Sequence, residues 1–212
     1  MPKATELNYH PKKRERTRAA FTQEELNRLF EAAKADGSRS LALLRFYVHT
    51  ACRSSTACEL LRADVWNEDS QTCFPTGTVL EKFGVRYCFA IDSELASSLA
   101  VHITSSPKSR FVFPTPKKPE KRLNYGMVNF WFQSICKRAN VQGDHCFVHA
   151  LRRTVATILF EAGNKLEDIQ SFIGHRSIGM TQHYIERNAA TISARLCIPW
   201  LRPATAGLHP EF

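Results

Sequence analysis

Apolar positions along the chain recur at two periods, and the change of period divides the sequence. Leu26, Leu29, Phe30 and Ala33 fall on one face of a helix. Thr22 followed three residues later by Glu25 is a capping-box start for it, and Asp36-Gly37 supplies the stop. Leu41, Leu44 and Val48 predict a second helix over about 40–50, and a shorter third one follows over about 54–62. Then the period shortens to two. Val85, Tyr87, Phe89 and Ile91 alternate with Arg86, Cys88 and Ala90, the pattern of a half-buried strand. Thr72-Cys73-Phe74 and Thr78-Val79-Leu80 are candidate partners around Pro75 and Gly77, so a small antiparallel sheet of three strands is expected.

The helical period returns at Asp92, which caps a helix carrying Leu95, Leu99 and Ile103. Residues 105–122 hold Pro107, Pro114, Pro116 and Pro119 and are predicted as a loop, apart from a short Phe111-Val112-Phe113 run. Val128, Trp131, Phe132 and Ile135 mark a helix over about 124–139. Val155, Ile158, Leu159 and Ala162 mark another over about 149–162, ended by Gly163. One more covers about 165–173 before Gly174, and Ser177 can cap a last helix that carries Tyr184. The fold class is α+β, mainly helical, with one small sheet. No Gly-rich loop follows a strand, so a dinucleotide-binding fold is not supported.

Composition narrows the picture. Of 212 residues, 43% are hydrophobic and 23% charged, the balance of an ordinary globular domain rather than a disordered chain. No run approaches the roughly 18 apolar residues that a spanning helix requires. The opening MPKATELNYHPKKRER has no apolar core of a secretory signal, so a soluble, cytoplasmic protein is expected. The seven cysteines include no Cys-x-x-Cys pair, which argues for reduced thiols rather than a disulfide framework or a thiolate zinc site. No His-Glu-x-x-His spacing and no tight carboxylate group points to a metal.

The formal net charge of +9 is unevenly spread. Residues 1–18 carry Lys3, Lys12, Lys13, Arg14, Arg16 and Arg18 against Glu6 and Glu15. Residues 107–122 carry Lys108, Arg110, Lys117, Lys118, Lys121 and Arg122 against Glu120, and the remaining charges balance. Two basic segments on a neutral body suit a polyanionic partner. A basic tail and a solvated loop are the alternative.

Four features carry chemistry. His149 and Arg152 sit at i, i+3 on one helix; Gly174-His175 lies between two helices; Tyr184 follows nine residues after His175; and Arg53 sits at a helix junction in Thr50-Ala51-Cys52-Arg53-Ser54-Ser55. Singly, each is ordinary surface or packing. Together, in this order and spacing, the segment from His149 to Tyr184 closely resembles the C-terminal signature of tyrosine recombinases, the phage-integrase family. That signature reads His-x-x-Arg, a helix and a short helix, Gly-His, and a Tyr nine residues on, with Thr181 in a Thr-x-x-Tyr ending here. The resemblance runs over roughly residues 18–190, leaving a basic flexible arm at 1–17 and a C-terminal segment at 191–212. It suggests the short single-domain members, such as fimbrial phase-variation invertases, or a compact integrase of a mobile element.

The resemblance implies a tyrosine-recombinase catalytic domain that cuts and rejoins DNA through a 3′-phosphotyrosyl intermediate, with no metal, ATP or other cofactor. Tyr184 would be the nucleophile, Arg53 and Arg152 the phosphate clamps, His149 and His175 the proton shuttle and phosphate donor. Lys82 fits the family's lysine between two strands, with Arg86 the weaker choice. Lys12, Lys13, Arg14, Arg16, Arg18, Lys117, Lys118, Lys121 and Arg122 become candidate DNA contacts. Arg153 joins them, placed on another side of its helix from His149. Implied partners are double-stranded DNA, a homotetramer on two sites and a helper DNA-bending protein, in the cytoplasm at the nucleoid; no membrane is implied. Ile192, Leu196, Ile198, Trp200 and Leu201 either pack on a neighbouring protomer or cover the chain's own core.

Two positions depart from the family pattern. Ala51 stands where Gly is usual, and Thr56 where an acid is usual. Two other functions compete: a non-catalytic DNA-binding regulator of the same fold, and a type IB topoisomerase-like nicking-closing enzyme. All six catalytic positions are filled, which disfavours the first; the compact spacing of Gly174-His175 to Tyr184 disfavours the second.

Overall fold

A computed structural model describes residues 20–80 and 86–174. Seven helices and six short strands occur among them: α1 (Gln23–Asp36), α2 (Ser38–Thr50), α3 (Thr56–Glu59), β1 (Trp66–Asn67), β2 (Thr72–Cys73), β3 (Thr76–Leu80), β4 (Arg86–Ala90), α4 (Ser93–Ser105), β5 (Pro114–Thr115), β6 (Lys118–Arg122), α5 (Tyr125–Arg138), α6 (Val148–Glu161) and α7 (Leu166–Ile173). The helix starts are chemically specified. The Glu25 N–H donates to Thr22 Oγ1 at 3.2 Å and the Thr22 N–H to Glu25 Oε2 at 2.8 Å, so each answers the other's unpaired donor. Asp92 and Asn124 cap α4 and α5 in the same way, each accepting the N–H three residues on at 2.9 Å.

α2 is the central helix, packed against α1, α4 and α6. Leu43, Leu44, Phe46 and Tyr47 are fully buried on it. Phe46 meets Phe89 of β4 edge to face at 5.2 Å between ring centres, which fastens the β3–β4 hairpin to the helical body. Gly77 pairs with Phe89 in that ladder, and a Cβ at Gly77 would lie 2.3 Å from the Phe89 ring. Only glycine lets the ring lie over the neighbouring strand there.

The antiparallel strands occupy the expected stretch but group differently. β1 pairs with β2, and β3 with β4, as separate two-stranded ladders rather than one three-stranded sheet. They abut at Phe74-Pro75, where the Phe74 N–H reaches Val65 O and the Ile91 N–H reaches Pro75 O, both at 2.9 Å. Pro75 has no N–H to carry a ladder across the junction. The 105–122 stretch, expected to be a loop, is also corrected. β5 and β6 form an irregular antiparallel hairpin, with Pro114 opposite Arg122 and Thr115 opposite Lys118. Its prolines and lysines suit an edge pair: they leave no long row of free donors for another chain. The arm at 1–17, the 81–85 connection, the helix expected after Ser177 and the 191–212 segment lie outside the described residues.

A half-buried polar contact joins α2 to the N-cap of α4. His49 Nδ1 lies 2.8 Å from Asp92 Oδ2, the carboxylate that also caps α4. Burial works to raise the Asp92 pKa, but the hydrogen bonds from His49 and from the Leu95 and Glu94 N–H groups outweigh it and hold the carboxyl below its usual range. A depressed carboxylate contributes stability that is present above its unfolded pKa, near 3.9, and is lost as pH falls through the folded value. Asp92→Asn is therefore expected to lower Tm at pH 7 and to flatten the fall of Tm between about pH 5 and 3. Thermal melts of both proteins across that range check it; parallel curves would remove Asp92 from the acid-sensitive contacts.

Candidate active site

Two helix C-termini, those of α2 and α7, converge on the site. A helix leaves its last four carbonyls without internal partners, and their dipoles make that end negative. Cationic and hydroxyl donors are drawn there. α2 ends at Ala51, whose backbone is left-handed at φ 49 and ψ 27. The turn throws the chain outward so that Arg53 leaves the core two residues later. A side chain in that conformation costs roughly 1 kcal/mol relative to glycine, which is the physical reason a glycine is usual at this point. Thr56, at the expected acid position, is buried and opens α3, its N–H bonded to Arg53 O at 2.9 Å.

Arg152 reaches the same turn from α6. It is only 4% exposed, and its Nη1 donates to Ala51 O at 2.8 Å. Arg53 Nη2 donates to Gly174 O at 2.7 Å. Gly174 terminates α7 in the left-handed region at φ 66, immediately before His175. Each guanidinium is thus fixed by a helix-terminal carbonyl. The turn between Thr50 and Ser55 is braced further by Tyr47, whose hydroxyl donates to Ser54 O at 2.8 Å.

His149 lies on the solvent side of α6, one turn before Arg152. Its pKa is pushed below the ordinary 6.5 by partial loss of hydration, then by the positive charges of Arg152, Arg153 and Arg53. All three arginines therefore lie within electrostatic reach of the imidazole. This also corrects the expectation for Arg153: at i+4 from His149 it lies on nearly the same helix face, and its charge bears on the imidazole.

The remaining expected residues divide. Lys117, Lys118, Lys121 and Arg122 are exposed on and beside the β5–β6 hairpin, with Arg122 ion-paired to Glu59 of α3. Lys82, His175, Tyr184, Lys12, Lys13, Arg14, Arg16 and Arg18 lie outside the described residues. Among the described residues no group of three or more His, Cys, Asp or Glu side chains is placed to hold a metal ion. No described helix is long and apolar enough to cross a membrane.

A domain so built defines its class. The phage integrase family model matches residues 19–191, and the chain belongs to that family. It is 27% identical over 185 residues to tyrosine recombinase XerC of Erythrobacter litoralis, covering 82% of this chain and 57% of that protein. Tyrosine recombinase XerD of Bifidobacterium longum is also 27% identical, over 81% of this chain and 59% of the relative. The chain therefore spans under two thirds of the length of these relatives. Among solved structures, XerA recombinase superposes with a TM-score of 0.64 at 23% identity, covering 87% of this chain and 65% of the other. A lambda integrase dimer bound to a core site gives 0.59 at 18% identity, covering 77% and 62%. The mainly helical fold with small antiparallel ladders is that of the recombinase catalytic domain.

Proposed function

We propose that the chain is a site-specific DNA recombinase that transfers strands through Tyr184. The observation that carries this reading is the pair of arginines, Arg53 and Arg152, each held on a helix-terminal carbonyl beside His149. Planar guanidinium forks so fixed can grip the two non-bridging oxygens of a phosphodiester and neutralise the charge that builds there. The signature supplies the rest. The Tyr184 oxygen attacks phosphorus, its proton passing to neutral His149, and a 3′-phosphotyrosyl ester forms as the bond to the 5′-oxygen breaks. Lys82 donates the proton that the leaving 5′-oxygen takes up, and His175 donates a hydrogen bond to the phosphate. A second strand's 5′-hydroxyl then reverses the sequence, and the stored ester makes ATP unnecessary.

The partner is double-stranded DNA, met by the exposed lysines of the β5–β6 hairpin and by the basic arm. Four protomers on two sites, a helper DNA-bending protein and a cytoplasmic, nucleoid setting complete the proposal. XerH and lambda integrase have been solved on DNA, the latter also as a tetramer on a Holliday junction, which supports the extension to this chain.

The test is formation of a detergent-resistant protein–DNA adduct on a nicked duplex that loses a short fragment on cleavage. The peptide recovered on the 3′ phosphate is expected to contain Tyr184. The rate is expected to fall as pH drops below the ordinary histidine range, because protonated His149 cannot accept the phenol's proton and its pKa is already depressed. EDTA leaves the rate unchanged. An adduct through a 5′ phosphate, or through another residue, would contradict the mechanism.

A further inference from the structure

Tyr87 links the site's two turns and belongs to none of the signature motifs. It sits on β4, opposite Val79, with its side chain only 6% exposed. Its hydroxyl donates to Thr50 O, in the last turn of α2, and lies 3.5 Å from Phe172 O, in the last turn of α7. Its ring passes beneath the second turn: a Cβ built on Gly174 would touch the ring edge at 3.9 Å. Phe89 stacks against the ring at 6.1 Å between ring centres. β4 leads directly out of the 81–85 connection, which carries Lys82 in sequence.

A strand residue chosen for packing alone needs no hydroxyl. Phenylalanine fills the same volume and suits a strand equally well. The hydroxyl answers a carbonyl that α2 leaves unpaired, beside Ala51 O, which Arg152 answers, while the ring lies under the turn whose Gly174 O answers Arg53. One side chain thus joins the approach to Arg53 and the strand after Lys82 by its hydroxyl, and meets the approach to His175 by its ring and by the nearby Phe172 O. We infer that Tyr87 is a positioning residue for strand cleavage, its hydroxyl holding the α2 terminus, and its ring the α7 terminus, in register with the β3–β4 hairpin so that the phosphate-gripping groups stay aligned. This inference rests on the cleavage reading above. Misplacement of reacting groups by a fraction of an ångström up to about 1 Å costs on the order of tenfold to a hundredfold in rate, without a matching loss of binding.

Tyr87→Phe removes one oxygen and keeps the ring. At saturating nicked duplex it is expected to form adduct about tenfold more slowly, with DNA affinity within about twofold of wild type. Hydrogen exchange at the amides of residues 51–56 and 172–174 is expected to quicken about tenfold while α5 stays unchanged. Ile103→Val, in the buried face of α4 and away from both turns, serves as the control for a general loss of stability. It is expected to keep the wild-type rate when compared at equal folded fraction. A Tyr87→Phe rate within twofold of wild type, or an equal loss in Ile103→Val, overturns the inference. If wild type forms no adduct, the cleavage reading fails on its own. The exchange data then decide the positioning role, and unchanged exchange at both turns overturns it.

Discussion

Arg152→Ala is expected to slow adduct formation by about 100-fold or more, the cost of losing a strong donor aimed at developing charge. The effect has two physical sources. The side chain is buried to 4% exposure, and its Nη1 holds Ala51 O, the carbonyl of the turn that carries Arg53. In the proposed mechanism truncation removes one fork from the phosphate; it also leaves the buried Ala51 O without its guanidinium, so the turn that carries Arg53 loosens as well. Arg152→Lys keeps the charge but not the planar pair of donors, and is expected to recover only a small part of the rate. Binding to duplex DNA should change little, because one phosphate contact among many is lost and the slope of affinity against salt falls by about one unit. Single-turnover adduct formation at saturating DNA, beside a binding isotherm at two salt concentrations, separates these effects. A rate within a few-fold of wild type would remove Arg152 from the site.

Tyr184→Phe has the larger expected effect on the covalent step: no adduct. A phenol with an ordinary pKa near 10 is a weak nucleophile that gains reactivity beside cations, and phenylalanine has no oxygen to form the ester. Nothing else about the chain's charge changes, so DNA affinity is expected to stay within about twofold. The contrast with Arg152→Ala is diagnostic. One variant removes the bond-forming atom and the other weakens its surroundings, so residual slow cleavage belongs to the arginine variant alone.

How far the sequence reached differs from element to element. The helices were legible because their start and stop signals are local: Thr22 with Glu25, Asp92, Asn124 and Gly174 each act within four residues of the chain. Arg53, His149 and Arg152 were legible because a motif fixes them in order. The β5–β6 hairpin was not, since four prolines in 105–122 hide an edge pair that needs few ladder donors. The split of the sheet into two ladders depends on a single missing N–H at Pro75 and on which carbonyls lie opposite it, and no periodicity carries that. Tyr87 was read as a strand residue and no more. Its hydroxyl acquires meaning only when the fold brings Thr50 O, at the end of α2, to β4 beside the end of α7, segments far apart in the chain. The same holds for Arg153, whose place about His149 follows from helix geometry rather than from charge counting.

The most direct test is to express the chain and its Tyr184→Phe variant side by side in the source cells, lyse in detergent without proteolysis, and sequence the DNA ends that remain attached to protein. The expected result is attached 3′ ends concentrated at one paired sequence with the wild-type chain and absent with Tyr184→Phe. Attached ends recovered equally from both proteins would contradict cleavage by Tyr184. Tyr184-dependent ends scattered without a preferred sequence would contradict site specificity and favour a nicking-closing activity instead.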